Sequence, residues 1–466
     1  MKLKNIVLLA LCVVFFNSCF EDMDDKLHVG STLDIQDFIY RGLNYFYLYK
    51  ADTPELANDY FADAQDKKDF LNSYATPEAL FDYLLSPQDR FSRLFSDYVV
   101  IENSLAGVNM SNGMEFGLVY YPDNSRNVFG YVRYILPNSS ASQTELKRGA
   151  IFTQIDGIQI TESNYQQLLA SDAYTISLAE YDGTHFNLTG ETIELVKEEY
   201  DENPVYLSRI FELEGKKIGY LMYTAFTRRY DTELNTVFGQ FQSEGITDLI
   251  LDLRYNGGGS VETATDLASM ITGQFNGEVF YKEFWNEDRQ AEYGGEGYFD
   301  NKISTGATIN SLNLNRVYVL TTSSTASASE LVINGLEPYI DVVQIGDNTT
   351  GKFQASFLMY DAPEPYFSRQ QASPLHTYVM LPLVFKTANK NGVTDFTEGL
   401  LPDIAQRENY FDLGTLGSPD EPLTATALAM IGVSTKPQQK TFQEFEQLSG
   451  SNEIQPLFGT MIINAE

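Results

Sequence analysis

The stretch from Arg316 to Lys352 constrains the fold more than any other part of the chain. Val317-Tyr318-Val319-Leu320 is a short apolar run of β type, and the polar residues Thr321 to Thr325 end it. Ala326-Ser327-Ala328-Ser329-Glu330 then opens a helical pattern carried by Leu331, Val332 and Leu336. Asp341 leads into Val342-Val343-Gln344-Ile345 and Gly346, and a loop from Asp347 to Gly351 ends at Lys352. Strand, helix, strand is a βαβ unit, whose strands run parallel with a right-handed crossover. Both strands end at the same edge of the sheet, where open α/β sheets place their chemistry. Ser327 follows the first strand and Lys352 the second, so their side chains can meet although far apart in sequence.

A second unit of the same kind precedes it. Thr247 to Leu253 is almost wholly apolar, as suits a parallel strand buried on both faces. Arg254-Tyr255-Asn256-Gly257-Gly258-Gly259 breaks that run, and Val261 to Ile271 continues as a helix. Ahead of it, Ile218 to Tyr223 reads as a strand and Asp231 to Phe241 as a helix, with Asp231 expected to cap it. Residues 275–312 are polar and aromatic, contain the single Trp285, and carry no recognisable role. Beyond Lys352, strands are expected at Ser356 to Met359 and at Thr377 to Val384, and a last helix at Pro422 to Ile431. The polar stretch from Lys436 onward is expected to be peripheral.

The first hundred residues have helical texture: Ile35, Phe38, Ile39, Leu43, Phe46 and Tyr47 recur at helical spacing, and Thr76-Pro77-Glu78 is a helix start. From Gly113 to about Lys197 short strands take over. Phe116 to Tyr120, Phe129 to Leu136, the turn Leu146-Lys147-Arg148-Gly149, and Ile151 to Ile155 with Asp156-Gly157 follow in order. This order resembles a PDZ domain of the bacterial protease type, in which a groove adds a peptide as an extra strand and holds its terminal carboxylate. The matching peptide-binding loop is Glu115-Phe116-Gly117-Leu118. Ala150 stands where that family usually has Asp, a departure that touches the turn and not the groove.

A chain of 466 residues with a formal net charge of −33 exceeds one ordinary core and is strongly acidic. That charge argues against nucleic acid and anionic membrane patches as partners. The only cysteines are Cys12 and Cys19. A basic start, the apolar run Ile6 to Phe16 and then Asn17-Ser18-Cys19 read as a secretion signal, too short to span a bilayer. Ser18-Cys19 resembles a bacterial lipoprotein signal, which implies lipidation of Cys19 and a place in the cell envelope, as an outer-membrane lipoprotein facing the periplasm or the surface. Cleavage at a small residue, giving a free secreted protein, is the alternative. Glu21, Asp22, Asp24 and Asp25 fit either an acidic sorting tag or a solvated linker.

Ser327 admits two readings. Ser-x-x-Glu before an apolar run is a capping box, in which Ser327 caps a helix and Glu330 reaches back to it. Alternatively Ser327 is a nucleophile. The chain has three histidines, and only His376 lies in the core, so a Ser-His-Asp arrangement is poorly supplied. A neutral lysine can replace the histidine if its pKa falls from about 10.4 toward 7–8, roughly 4 kcal/mol supplied by desolvation. Lys352 sits on a Gly-flanked loop at the right edge; otherwise it is an ordinary exposed lysine. Acyl transfer also needs donors aimed at the oxyanion. The Ala328 N–H and Gly258 are the candidates. The glycine run does not match Gly-x-x-x-x-Gly-Lys-Ser/Thr, which sets nucleotide binding aside.

At these residues the chain resembles the C-terminal processing peptidases (tail-specific proteases). The resemblance rests on Leu251 to Gly259, Thr325 to Glu330, Gly351-Lys352 and Gly399-Leu400-Leu401-Pro402-Asp403, and extends over about residues 30–432. It implies an α/β, multidomain protein: a ClpP/crotonase-like peptidase core, a PDZ-like β domain and an N-terminal helical cap. The expected boundaries are 1–19 (signal), 20–30 (acidic linker), 31–103 (helical), 104–200 (PDZ-like), 201–435 (core) and 436–466 (tail). It further implies a Ser–Lys dyad, with Ser327 as nucleophile, Lys352 as general base, Ala328 and Gly258 at the oxyanion and Glu330 as one version of a third residue that orients the lysine. The Gln that other members place four positions after the lysine is Ser356 here, and the Asp of others falls on Pro338. Neither a cofactor nor a metal is implied. The expected partners are protein or peptide substrates with free C-termini and a membrane reached only through the lipid anchor. The competing expectation on the same fold is a non-catalytic lipoprotein that binds peptide or lipid.

Overall fold

The computed structural model describes residues 30–434 and 443–463. Cys19, the signal stretch, the acidic residues behind it and His28 lie outside the described residues, and so does 435–442 of the polar tail. No helix among the described residues is long and apolar enough to cross a membrane.

The N-terminal part is helical, as its periodicity predicts. Helix α1 (Thr32–Phe46) buries Ile35, Phe38, Ile39, Leu43 and Phe46. Ser31 and Asp34 close its start reciprocally: Asp34 N–H donates to Ser31 Oγ at 3.3 Å, and Ser31 N–H to Asp34 Oδ2 at 2.7 Å. Helices α2 (Ala64–Asn72) and α3 (Pro77–Leu84) pack beside it. Thr76 Oγ1 accepts the Ala79 N–H at 3.2 Å, with Pro77 in the first turn where its missing N–H costs nothing.

The segment with PDZ-like texture forms antiparallel strands β1 (Met114–Tyr120), β2 (Val128–Ile135), β3 (Ile151–Ile155), β4 (Ala173–Tyr181) and β5 (Phe186–Val196), paired in that order. Asp156 and Gly157 both have positive φ, 50° and 74°, as a two-residue hairpin of the primed type requires.

The central sheet contains β6 (Val205–Leu213), β7 (Lys216–Tyr223), β8 (Asp248–Asp252), β12 (Arg316–Thr321), β13 (Asp341–Gly346) and β16 (Ile404–Ala405), adjacent in that order. All its pairs are parallel except β6 with β7. Alternate residues feed two cores. Leu249, Leu251, Val317 and Val319 pack with Leu234, Phe238, Leu267 and Leu331 of the helices α4 (Asp231–Glu244), α5 (Val261–Thr272) and α6 (Ala328–Leu336). Ile250, Tyr318 and Leu320 pack with Leu423 and Leu428 of α7 (Pro422–Ile431) on the other face. Burial on both faces is why β8 reads as an unbroken apolar run.

A third sheet lies against the active edge. Its order is β9 (Gly258–Ser260), β18 (Thr460–Ile462), β14 (Gln354–Ser356), β15 (Leu383–Asn389), β10 (Val279–Trp285) and β11 (Glu296–Tyr298). This gives the unassigned stretch after residue 275 a place: Trp285 packs on Phe46 of α1 and Phe385 of β15.

Three expectations are corrected. The end of the chain is not peripheral. Gln447–Gly450 (β17) pairs antiparallel with β1, β18 pairs parallel with both β9 and β14, and Met461 is fully buried. Each strand is three or four residues long in polar surroundings, too short to show a period. Asp231 is the first residue of α4 and not its cap; its carboxylate accepts from Thr263 Oγ1 at 2.7 Å and Ser304 Oγ at 2.9 Å. The two strands expected after Lys352 are four: Gln354–Ser356, Met359–Tyr360, Val379–Leu381 and Leu383–Asn389. Pro382, lacking an N–H, separates the last two.

Candidate active site

Ser327 stands at the mouth of α6 with φ 66° and ψ −112°, a conformation few residues with a side chain adopt. Neighbouring contacts fix it. Thr325 Oγ1 donates to the Leu253 carbonyl at 2.8 Å, and Ala326 N–H to the Asn256 carbonyl at 3.0 Å. Ser329 Oγ donates to that same Asn256 carbonyl at 3.1 Å. Glu330 does reach back, its Oε2 accepting the Ser327 N–H at 2.7 Å. The Ser327 Oγ, however, is buried and has no hydrogen-bond partner. It stands in capping-box position toward the Glu330 N–H, yet does not close the hydrogen bond that a helix cap makes.

Lys352 is 1% exposed, against the usual fate of a loop lysine. Its N–H donates to Glu330 Oε2 at 2.9 Å, and the Gly351 N–H and Thr349 Oγ1 donate to Oε1 at 2.7 and 2.5 Å. One carboxylate therefore gathers the main chains of both loops. Burial pushes the Glu330 carboxyl above its usual range while these four donors act to lower it. The Lys352 Nζ donates to the Gln354 carbonyl and lies 5.9 Å from the centre of the Phe91 ring. Burial drives the amine down to about 7, against the opposing pull of Asp89 and Glu330. Asp89 and Phe91 come from the N-terminal part, and Arg90 donates to the Gly351 carbonyl at 3.0 Å.

The glycine turn closes the other side. Gly258 has φ 110°, and a Cβ there would stand 2.7 Å from Ser327 Cβ and 3.1 Å from its Oγ. Only glycine lets the turn come so near. The Gly258 N–H donates to Asn256 Oδ1 at 2.9 Å, so it is engaged within its own turn. The Ala328 N–H, at the first position of α6, has no partner inside the helix. Behind the turn, the fully buried Arg254 bonds Asp252 at 2.9 Å, Glu421 at 2.8 and 3.0 Å, and Glu408 at 2.9 Å. Burial pushes the Glu408 carboxyl up, but Arg254 and Arg148 outweigh it and hold it at about 2.

Residues 217–362, which include Ser327, Lys352, Glu330 and the glycine turn, match the profile described as Peptidase family S41. Residues 34–93 match the Peptidase S41 N-terminal domain. Over these two stretches the chain resembles peptidase family S41. It is 25% identical over 223 residues to the carboxyl-terminal-processing protease of Picosynechococcus sp., covering 47% of this chain and 49% of that one. It is 29% identical over 143 residues to the carboxy-terminal processing protease CtpA of Bacillus subtilis, covering 30% of this chain and 27% of that one. The chain thus spans half or less of these curated relatives. A crystal structure of a Bacteroides fragilis NCTC 9343 protein assigned as an S41 protease superposes with a TM-score of 0.63 at 26% identity, covering 85% of this chain and 97% of that one.

The fold brings Ser327, Ala328, Glu330, Lys352 and Gly258 to one place. Glu330 touches the main chains of both loops and makes no hydrogen bond to the lysine head, which rests on Gln354. Phe116, Gly117 and Leu118 lie elsewhere, in β1, as buried strand and not as an open loop. Ser356 is in β14, its carbonyl accepting the Ile463 N–H at 3.0 Å. His376 is committed to Asp361 at 3.2 Å and to the Tyr378 N–H at 3.1 Å. Sequence reasoning missed Asn256, Thr349, Gln354, Asp89 and Phe91 as parts of the site. Asn256 lies inside the quoted glycine motif and could have been found; Thr349 acts through a single loop hydroxyl, Gln354 through its main-chain carbonyl, and Asp89 and Phe91 from far away in sequence, none of which leaves a pattern.

Proposed function

We propose that this chain is a peptidase of the S41 type, a serine endopeptidase in which Ser327 attacks and Lys352 is the base. The observation that carries the reading is a pair of buried groups on backbones tied together by Glu330: a Ser327 hydroxyl with no hydrogen-bond partner and a lysine whose amine burial brings to about 7. Near neutrality a large share of such amines is unprotonated and able to accept a proton. Lys352 Nζ leaves the Gln354 carbonyl and takes the Ser327 Oγ proton as Oγ bonds to the substrate carbonyl carbon. The oxyanion draws on the Ala328 N–H, and on Gly258 once its N–H turns from Asn256. The Lys352 ammonium returns the proton to the leaving nitrogen as the C–N bond breaks, leaving an ester on Ser327. Water then repeats the sequence and frees the acid. Glu330 is a positioning residue.

The curated relatives are named for processing carboxyl termini, which supports protein C-termini as substrates, taken up through the PDZ-like sheet at Phe116, Gly117 and Leu118. The N-terminal sequence supports export and anchoring through Cys19 in the cell envelope. The deciding experiment is cleavage of an unfolded protein such as reduced casein by wild type, Ser327→Ala and Lys352→Ala, with folding checked by circular dichroism. Both variants are expected to fold and to be inactive; wild-type activity in either sinks the dyad.

A further inference from the structure

The same stretch of chain, 443–463, lies on two edges that an extended peptide would need. Its first strand, β17, pairs antiparallel with β1, Gly450 opposite Gly117 and Ser449 opposite Leu118. That is the edge of the PDZ-like sheet at which a peptide would be added. Its second strand, β18, fills the slot between β9, the strand of the glycine turn, and β14, the strand two residues beyond Lys352. Thr460 stands opposite Gly258, Met461 opposite Gly259 and Ile462 opposite both Ser260 and Ser356. The Thr460 carbonyl and the Ser327 Oγ lie 2.6 and 3.1 Å from the one point where a Gly258 Cβ would stand. The occupant therefore passes close to the nucleophile.

Between the strands the segment is stitched to the site. Asn452 Nδ2 donates to the Tyr255 carbonyl, Ser324 Oγ to Glu453, and the Gly459 N–H to the Gly257 carbonyl at 3.0 Å. Ser451 Oγ donates to Glu115 Oε2 at 2.5 Å. Leu457 and Phe458 line a cavity of about 260 Å³ together with Gly257, Gly258 and Phe226. Meanwhile Ser327 Oγ has no partner and Lys352 Nζ rests on Gln354, an idle arrangement.

We propose that the β9–β14 slot and the outer edge of β1 form one binding track for extended polypeptide, and that residues 443–463 hold it as a built-in competitor. Substrate must displace β18 from the slot and β17 from the edge before the hydroxyl is reached. The two strands pair through their main chains, so the track accepts varied sequences, while the Ser451, Asn452 and Glu453 side chains anchor this segment in particular. This rests on the Ser–Lys reading above and adds who holds the site when substrate is absent.

The test uses two full-length variants, Met461→Asp, which puts a charge at a fully buried position, and Ile462→Pro, which removes an N–H from a strand paired on both sides. Hydrogen exchange over 443–463 reports release, and the rate of Ser327 modification by a fluorophosphonate reports access. Both variants are expected to lose protection there and to be labelled at least ten times faster than wild type. A synthetic peptide of residues 443–463, added in trans, is expected to slow them again. Wild-type protection in both variants, or release with labelling unchanged or lost, overturns the proposal; loss would mean that the segment is needed to build the site. Failure of the Ser–Lys reading looks different: no labelling at Ser327 in any protein, although exchange still shows release.

Discussion

Ser327 and Lys352 are held to each other through their main chains: one oxygen, Glu330 Oε2, accepts both N–H groups, at 2.7 and 2.9 Å. Their side chains are free of each other's hydrogen bonds, the hydroxyl partnerless and the amine on Gln354. A fixed backbone whose two heads are not bonded to each other suits a pair that must meet only when substrate is present.

Glu330→Ala should therefore damage fold and activity together. It leaves three N–H donors and the Thr349 hydroxyl buried without an acceptor, each costing about 1–3 kcal/mol. A fall in stability of about 3 kcal/mol or more is expected by denaturant titration. Ser327→Ala, which removes a hydroxyl that bonds nothing, should change stability by less than about 1 kcal/mol while lowering cleavage by at least about 1,000-fold.

The pH profile follows from the lysine. Its amine is brought to about 7 in the fold from 10.5, so the fold favours the neutral form. Activity needs that form, so kcat/KM should rise through a midpoint near pH 7 and level off above it. The sign for stability is the same: between about 7 and 10.5 the unfolded chain binds the proton and the folded chain does not, so this group's contribution grows with pH across that window. Lys352→Met should remove the dependence, read by thermal melts at pH 6 and 9.

Much of this was legible because the chemistry sits on a βαβ unit and a strand–glycine–helix unit, whose periods are strong and whose loops end at one sheet edge. Val317 to Leu320 and Leu249 to Leu253 announce themselves as buried strands, and Pro422–Ile431 as a helix, without any tertiary context. What stayed hidden depends on partners distant in sequence. Gln447–Gly450 and Thr460–Ile462 are strands only because β1, β9 and β14 offer edges. Asp89 and Phe91 wall the lysine from more than 250 positions away. The unspent Ser327 hydroxyl could not be told from a cap until the φ of 66° was seen.

Arg254 is the keystone of the glycine turn. Arg254→Met would leave Asp252 and Glu421 buried without their cation and Glu408 with Arg148 alone, a loss of about 3–5 kcal/mol. Acid should weaken the same cluster. Glu408 is held at about 2 against an ordinary 4.5, so its contribution is complete above 4.5 and is lost as pH falls from there toward 2. Melts of wild type and Glu408→Gln should converge over that range.

Glu115 works in the opposite sense. Burial first, and then the nearby Glu202 carboxyl, push it up to about 8 from 4.5. Its stabilising effect is present below 4.5 and is lost as pH rises through 8. Glu115→Gln should therefore gain stability relative to wild type at pH 9 and not at pH 4, measured by thermal melts at the two values.

The most direct measurement is the site of covalent capture. Wild type, Ser327→Ala, Lys352→Ala and the segment-released Met461→Asp protein would be treated with a fluorophosphonate at pH 8 and mapped by mass spectrometry. The Ser–Lys assignment predicts an adduct on Ser327 in wild type and Met461→Asp, and none in the other two. Capture of Lys352→Ala at the wild-type rate, or no adduct on Ser327 even in Met461→Asp, would contradict it.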